Sequence, residues 1–245
     1  MGPRTGDLHD SGRSRSSRTR DGRDVVCVHS SPAQLAASRG VVRWFATSGL
    51  DLLEREWSER LHKELLEVRL ERIGRIEKMI KANEEKICKA LTADFGVRNP
   101  SETRLAEFGM VSQACRFVRK NLKDWMRPVQ METPSYLSSS EAWIENQSIG
   151  VVGIISAWNY PVQLALLPAI SALAAGNRVW LKPSERSSRT SGFLASLIQE
   201  YFHPTEFCVS TGGADVAEQF AALPFAHLFF TGSEAIGKKV MRAAS

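Results

Sequence analysis

The chain has 245 residues, of which 43% are hydrophobic and 24% are charged, and its formal net charge is +5 at pH 7. This length can bury a sizeable core in one large or two small domains, and the composition is that of an ordinary soluble protein. No apolar run lacks polar breaks for the roughly 20 residues that a membrane span needs.

The positive charge is concentrated at the amino terminus, which argues against a nucleic-acid-binding surface. Six arginines stand there among Gly, Ser and four Asp: Arg4, Arg13, Arg15, Arg18, Arg20 and Arg23. Such a segment buries too little apolar surface to offset its chain entropy, so residues 1–49 are predicted to be a disordered basic tail. A mitochondrial presequence would be poor in acids, and the four aspartates argue against one.

The cysteines Cys27, Cys88, Cys115 and Cys208 share no close spacing. This excludes a zinc knuckle and a dithiol motif, so we expect no metal site. Scattered cysteines are consistent with a reducing compartment. We therefore expect a cytoplasmic protein with no nucleic-acid partner and no membrane span.

Residues 50–128 are predicted to be helical. From about Leu52, apolar residues recur at spacings of three and four, and charges pair at i,i+4 on the other face, as in Glu59 with Lys63 and Glu71 with Arg75. Because charges of both signs alternate, a membrane-surface or calmodulin-target helix is disfavoured.

Two further helices follow in this region. Asn83, followed by two glutamates, predicts a cap for a helix that runs to about Ala93, and Ser101 after Pro100 predicts the next cap. The last helix ends before Pro128. Its apolar face is Leu105, Phe108, Ser112, Cys115, Val118, Leu122 and Trp125.

Residues 129–149 are predicted to be an extended arm. They are mostly polar, and Glu141–Gln147 alternates in the manner of a strand with one solvated face. From the residues alone, a surface hairpin strand fits this pattern.

Residues 150–185 predict a strand, a crossover helix and a second strand. A β-branched run, Val151–Ile155, precedes a polar loop and a helix from Val162 to Ala175, whose apolar residues suit a helix covered on every side. Gly176 supplies a left-handed stop, and Val179–Leu181 is the second strand. Such a crossover makes the two strands parallel, and ligands then bind beyond their carboxyl ends.

The alternation continues to the end of the chain. Helices are predicted at residues 188–202, 216–223 and from 233 onward, and strands at residues 206–210 and 227–230. Strict alternation indicates an α/β fold with a doubly wound parallel sheet, incomplete in this chain, which occupies residues 150–245. The fingerprint G-x-G-x-x-G is absent from every predicted junction of strand and helix, which excludes the commonest dinucleotide-binding dehydrogenases.

Several motifs together resemble the NAD(P)-dependent aldehyde dehydrogenases over roughly residues 50–245. They are Ala157–Pro161 (Ala-Trp-Asn-Tyr-Pro), Ala175-Gly176-Asn177, Lys182-Pro183-Ser184-Glu185, and Phe230-Thr231-Gly232-Ser233 with Gly237. Upstream, Ala93-Asp94-Phe95-Gly96 with Arg98, Glu102 and Thr103 is similar to the coniferyl-aldehyde and class 3 branch. The resemblance implies a Rossmann-like cofactor domain that lacks the usual fingerprint. It also implies that residues 129–149 form a subunit-pairing arm. The surface hairpin strand remains an equal alternative for this stretch.

The resemblance implies a role for each residue of the polar loops. Asn159 would donate from its side-chain amide to an oxyanion, although a turn-forming Asn looks the same. Tyr160 would line the substrate tunnel and Trp158 the cofactor, and both are equally read as packing aromatics. Lys182 and Glu185 would hold the adenosine ribose of NAD or NADP, against the alternative of a surface ion pair.

The phosphate side of the cofactor site is implied in the same way. Ser233 opens a helix whose free N–H groups favour an anion, although a plain N-cap serine looks identical. Gly237 would keep that approach clear, unless helix packing explains it. The remaining residues implied on the cofactor side are Ser184, Gly212, Gly213, Gly232 and Ile236.

The family's catalytic cysteine and glutamate base are placed after the phosphate-binding helix, and no cysteine here stands in that context. The sequence therefore predicts an aldehyde dehydrogenase by family, with an aromatic or long-chain aldehyde as substrate, and a chain of this extent that is inactive alone. Relatives of full length are expected to be homo-oligomers. A non-catalytic nucleotide-binding or subunit-pairing protein, and an unstable product with an exposed sheet edge, are the alternatives.

Overall fold

The computed structural model describes residues 17–18, 24–25, 66–132, 135 and 142–245. Near the amino terminus, Ser17–Arg18 (β1) and Asp24–Val25 (β2) form an antiparallel pair. The rest of the predicted tail, with Cys27, lies outside the described residues. The predicted helix start at Leu52 and the Glu59–Lys63 pair lie outside them too.

A helical segment precedes the sheet. Its elements are Leu66–Ala82 (α1), Glu84–Phe95 (α2), Pro100–Thr103 (α3), a π-helical turn at Arg104–Gly109, and Met110–Trp125 (α4). The apolar face of α1, with Ile73, Ile76 and Ile80, is buried, and Arg75 pairs with Glu71 at 2.8 Å as predicted. The amphipathic pattern therefore agrees with α1 over residues 66–82.

Of the two predicted caps in this segment, Asn83 stands at the predicted N-cap position but makes no side-chain cap, and Ser101 is wrong. Asn83 precedes α2, but its side-chain amide donates backward to the Met79 carbonyl at 3.0 Å and caps no N–H group of α2. The residue that caps α3 is Asn99, whose side chain accepts from the Ser101 amide at 2.9 Å. Pro100 at the first helical position needs no partner for its nitrogen, so the cap lies at Asn99, two residues before the predicted Ser101.

The π-helical turn changes the predicted apolar face. It accommodates one extra residue, so Glu107 and Phe108 both point inward while Leu105 is 76% exposed. Downstream, Cys115, Val118 and Leu122 are buried as predicted, but Trp125 is half exposed. A strict 3.6-residue period could not anticipate this shift.

The segment after α4 forms a surface hairpin. Val129–Met131 (β3) pairs antiparallel with Ala142–Ile144 (β4), with Gln130 opposite Trp143. Both strands are largely exposed, including Val129, Trp143 and Ile144. The hairpin is thus present, and it carries apolar side chains into solvent.

The remainder is a parallel sheet with crossover helices, as predicted. Its strands are Val151–Ile155 (β5), Arg178–Lys182 (β6), Phe207–Val209 (β7) and His227–Phe230 (β8). The helices are Pro161–Ala174 (α5), Ser188–Tyr201 (α6), Ala214–Ala221 (α7) and Glu234–Ala243 (α8). The strand order is β7-β6-β5-β8, and all three pairings are parallel. This confirms the α/β fold.

The two faces of the sheet bury separate cores. Val152 and Ile154 belong to a core shared with the helical segment, α5 and α6. Val151 and Ile155 belong to a second core. Because alternate residues of a strand face opposite ways, helices cover both sides of the sheet.

Helix α5 departs from the prediction in one respect. Leu164, Leu167 and Pro168 line an open depression of about 530 Å³ beside His227 and Phe229, so the helix is not covered on every side among the described residues. Apolar composition alone does not reveal which side stays open.

Ionic and hydrogen-bonding contacts dock the helical segment on the sheet domain. Glu206, just before β7, accepts from Arg72 at 2.9 Å and from Arg75 at 2.8 Å. Although burial opposes it, these two guanidinium groups lower the pKa of Glu206 to about 2. Gly176 adopts φ +85°, and a Cβ there would meet the Arg69 guanidinium at 2.7 Å, which donates to the Ala174 carbonyl. Only glycine fits where α5 ends against α1.

Candidate functional site

The predicted site residues lie in loops at one edge of the sheet. Ile155 is in register with both Lys182 and Phe230, so β5, β6 and β8 end side by side. The loops that follow stay together, because the Ser156 amide donates to the Lys182 carbonyl and the Thr231 amide to the Ile155 carbonyl. The edge therefore brings Asn159, the Lys182–Glu185 segment and the start of α8 onto neighbouring strand ends.

Asn159 lies in the loop between β5 and α5, one residue before the N-cap position of α5. Its side chain is exposed, and no described residue hydrogen-bonds its amide. Its backbone carbonyl, in contrast, accepts from Arg98 at 3.2 Å. The loop is thus held by its main chain, and its carboxamide is free to donate to a ligand.

Arg98 is sandwiched between two rings of this region. Its guanidinium lies 4.9 Å from the Phe95 ring centroid and 5.0 Å from that of Tyr160, a geometry suited to cation–π attraction. Trp158 stacks on Phe95 with centroids 6.1 Å apart. Trp158 and Tyr160 therefore have packing partners, and Trp158 remains 43% exposed toward solvent.

Glu107 provides the acceptor that the start of α5 lacks. The N-cap residue Tyr160 makes no side-chain cap, and Pro161 has no N–H. Glu107 Oε2 accepts instead from the Gln163 amide at 2.7 Å, and Oε1 lies 3.3 Å from Arg98 Nη2. Burial raises the pKa of Glu107 to about 7, against the opposing effects of the Gln163 amide and Arg98.

A second acid from the helical segment caps the next helix. Ser187, before α6, makes no side-chain cap. Asp94 accepts instead from the Arg189 amide at 3.1 Å and from the Thr190 amide at 2.7 Å. The amino termini of α5 and α6 are thus both closed by carboxylates from outside the sheet domain.

Lys182 and Glu185 form an ion pair at the end of β6. Lys182 Nζ lies 3.0 Å from Glu185 Oε2, with the Lys182 side chain 2% and the Glu185 side chain 46% exposed. Burial opposes ionisation, but its own backbone amide and Lys182 hold the pKa of Glu185 below its ordinary value. The pair is anchored by a buried ammonium and presents its carboxylate outward, unlike an ordinary surface ion pair.

The start of α8 is open. Ser233 is the N-cap residue, but its side chain makes no cap hydrogen bond. Gly232 and Ser233 are exposed, and Ile236 is 48% exposed on the first turns. The first amides of α8 therefore have no side-chain acceptor from Ser233, which leaves an anion-binding geometry.

The glycines of this edge have packing reasons. A Cβ at Gly232 would collide with the Phe230 ring, and one at buried Gly237 would meet the same ring at 3.3 Å. Gly237 thus lies close against Phe230, and its role beside the cofactor stays a prediction. Gly212 adopts φ +155°, and Gly213 is the N-cap residue of α7.

Ser184 has a structural partner of its own. Its hydroxyl accepts from the Arg186 amide at 3.3 Å and caps the short turn Glu185–Ser187. Its backbone carbonyl accepts from Ser191 at 2.8 Å. Ser184 thereby fixes the turn that carries Glu185.

The described cysteines are poor nucleophiles. Cys88, Cys115 and Cys208 are free thiols. Burial raises the pKa of Cys115 and of Cys208 to about 12, and burial together with Glu84 raises that of Cys88. A thiol in such surroundings stays protonated at neutral pH.

Sequence reasoning missed the two capping acids. Asp94 entered only as part of a motif, and Glu107 was not singled out at all. The available signal was an absence, since Tyr160 rather than Ser, Thr, Asp or Asn occupies the N-cap position directly before Pro161. In the part of the chain that the structure describes, no helix is long and apolar enough to cross a bilayer, and no group of His, Cys, Asp or Glu is arranged to hold a metal.

Comparison with known proteins identifies a family. The model of the aldehyde dehydrogenase family matches residues 55–245. A coniferyl aldehyde dehydrogenase from Pseudomonas sp. is 43% identical over 180 residues, covering 74% of this chain and 37% of that relative. The 4,4'-diaponeurosporen-aldehyde dehydrogenase of Staphylococcus aureus is 38% identical over 177 residues, and the match covers 72% of this chain and 38% of that relative.

Solved structures show the same fold. Substrate-bound AldH from Staphylococcus aureus superposes with a TM-score of 0.77 at 31% identity, over 84% of this chain and 44% of that one. Succinic semialdehyde dehydrogenase from Streptococcus pyogenes, in complex with NADP+, has a TM-score of 0.68 at 18% identity, over 86% and 45% of the two chains. The chain spans 37–38% of the length of the two curated relatives named above.

Proposed function

Because the chain belongs to the aldehyde dehydrogenase family, we propose that it forms the cofactor-phosphate, ribose and oxyanion-donor part of an NAD(P)-dependent aldehyde dehydrogenase. Such an enzyme oxidises an aldehyde to its carboxylate. The name of the Pseudomonas relative supports an aromatic substrate such as coniferyl aldehyde, and a long-chain aldehyde is the alternative. Free thiols support a cytoplasmic location.

One observation carries the proposal. The unbonded carboxamide of Asn159 and the uncapped start of α8 follow neighbouring strands at one sheet edge. A donor without a partner favours an oxyanion, and free helix amides favour a phosphate. An oxyanion donor of this kind typically lowers the barrier by about 3 kcal/mol.

The residues present fit a nicotinamide dinucleotide. When bound, that group would accept the hydride. The chain's own residues would bind it: the first amides of α8, with Ser233, would receive the pyrophosphate, and Lys182 and Glu185 would donate to and accept from the adenosine ribose hydroxyls. The outward carboxylate of Glu185 would oppose a 2′-phosphate, so NAD is favoured over NADP.

The cysteines that the structure describes do not suit the covalent step of such a reaction. The covalent step needs a thiolate and the hydrolytic step needs a base. Cys115 and Cys208 have pKa values raised to about 12, and Cys88 is raised as well, so none of these thiols suits the first role.

Titration of the chain with NAD+ and NADP+ by calorimetry tests the proposal. We expect saturable binding, tighter for NAD+. Glu185→Gln should weaken NAD+ binding about tenfold, since a charge-assisted hydrogen bond is lost, and should weaken NADP+ less. Ser196→Ala is the control, because that hydroxyl donates to the Phe193 carbonyl within α6. Absence of saturable binding, or equal losses in both variants, would refute the assignment.

A second candidate function is subunit pairing without catalysis. It is favoured by the hairpin of β3 and β4, which exposes Val129, Met131, Trp143 and Ile144. Exposed apolar side chains of this kind mark interaction surfaces. Sedimentation of the chain and of Trp143→Ser tests it: a dimer that the substitution dissociates supports pairing, and an unchanged monomer opposes it.

A further inference from the structure

The loop that carries Asn159 has an unusual support. Asn is a preferred helix cap, yet Asn159 stands just before a helix and caps nothing there among the described residues. The task is performed by Glu107, which is fully buried and comes from the π-helical turn. A cap supplied from elsewhere removes the competing use of the Asn159 side chain.

Arg98 completes the support from the other side. Its Nη1 donates to the Asn159 carbonyl at 3.2 Å, and its Nη2 lies 3.3 Å from Glu107 Oε1. The two rings that enclose it limit its rotation, and its side chain is 8% exposed. One guanidinium thus joins the loop backbone to the buried carboxylate.

We propose that Arg98 and Glu107 are positioning residues for Asn159: Glu107 caps α5 in place of a local side chain, and Arg98 fixes the Asn159 main chain, so that the carboxamide stays free to donate. This inference rests on the proposed role of Asn159. Neither residue touches the reacting atoms, since both act through the β5–α5 loop.

The geometry supplies a matched control. Asp94 caps α6 by the same kind of contact as Glu107 caps α5, with two backbone amides as donors. No hydrogen bond joins Asp94 to the Asn159 loop among the described residues. Loss of the Asp94 carboxylate should therefore loosen a helix start without releasing that loop.

NMR of the full chain tests the proposal, with backbone relaxation for the loop and hydrogen exchange for the bonded amides of α6. The amides of residues 157–160 donate to no described acceptor, so the order of the loop is read from relaxation. In Arg98→Gln, the order parameters at residues 157–160 should fall from about 0.85 to under about 0.6, because the contact that closes the loop is lost. In Asp94→Asn, exchange should rise at residues 189–190, and the order parameters at residues 157–160 should stay unchanged. Glu107→Gln keeps an oxygen for the Gln163 amide but loses the carboxylate that pairs with Arg98, so the order parameters of its loop should fall as well.

The side-chain NH2 signals of Asn159 give a readout that general destabilisation would not produce. In Glu107→Ala, the carboxamide should turn to the vacant α5 amides, and these signals should shift at constant temperature and pH. Loop order parameters equal to those of wild type in both Arg98→Gln and Glu107→Gln would overturn the proposal, and so would an equal fall in Asp94→Asn. If the loop responds as expected but wild type binds no cofactor, the support stands and the dehydrogenase assignment fails.

Discussion

The carboxyl edge of the sheet has two halves that differ in how their helices begin. On α5 and α6, the first amides are closed by Glu107 and Asp94, two acids from the helical segment. On α7 and α8, the N-cap residues Gly213 and Ser233 provide no side-chain cap. The closed half fixes the loops of Asn159 and Glu185, while the open half leaves N–H groups for an anion. The two halves thus differ in whether their first helical amides already have an acceptor within the protein.

The largest loss of stability should come from removing a contact that holds the helical segment, which supplies both acids, on the sheet domain. Glu206→Ala removes the carboxylate that pairs with fully buried Arg72 and with Arg75, so we expect a loss of about 3 kcal/mol in the free energy of unfolding, measured in urea. Glu71→Ala removes only an exposed partner of Arg75 and should cost under about 0.5 kcal/mol. Equal losses would show that the buried cluster does not hold the segment.

The same carboxylate predicts an acid limit. The folded pKa of Glu206 is about 2, below the ordinary 4.5, so its contribution is present above pH 4.5 and is lost as pH falls through about 2. Glu206→Ala should flatten this part of the profile. A wild-type profile that is already flat between pH 4.5 and 2 would contradict the docking account.

Glu107 should impose the opposite slope at higher pH. Its folded pKa is raised to about 7 from 4.5, so the folded state binds more protons, and stability is full below pH 4.5 and falls as pH rises through about 7. We expect a decline on the order of 2 kcal/mol, and none in Glu107→Gln. Arg98 and Glu102 are the charged groups that act on this carboxyl. The Gln163 amide shift should follow the same midpoint, and a midpoint near 4.5 would contradict burial of the charge.

The smallest effects should separate the closed helix starts from the open ones. Asp94→Ala removes two accepted hydrogen bonds from α6 and should cost about 1 kcal/mol. Ser233→Ala removes no cap bond and should change stability by less than about 0.3 kcal/mol, although it alters the proposed phosphate site. Urea melts of both variants compare them directly. A cost of 1 kcal/mol for Ser233→Ala would mean that the first amides of α8 have a side-chain acceptor, as those of α5 and α6 do.

The sequence carried enough information for the sheet and less for the supports of the site. Every predicted element of residues 150–245 is present, with bounds within two residues, because β-branched runs and long apolar helices have distinct periods. The predicted cap hydrogen bonds are wrong, because sequence does not show which partner a side chain will choose. The Asn83 amide could accept from the helix that follows, but it donates instead to the preceding Met79 carbonyl. Glu107 lies 56 positions before the amide that it accepts from, and no local pattern records such a distance.

The site residues also divide into features that the sequence could predict and features that depend on tertiary contacts. Register placed the loops of Asn159, Lys182 and Ser233 at one edge, as the strand order required. The predicted roles of these residues stay predictions until binding is measured. For Gly237, the choice between ligand approach and packing depended on where the Phe230 ring lies, and side-chain positions of this kind follow from tertiary structure.

The π-helical turn at Arg104–Gly109 makes the number of residues in this stretch a structural constraint, separate from the identity of its side chains. Removing one residue there would restore ordinary winding and rotate everything upstream by about 100° relative to α4. Arg98 would then move away from the Asn159 carbonyl, although neither residue had been substituted. Variation among natural versions of this stretch should consequently favour exchanges of residue type over insertions and deletions.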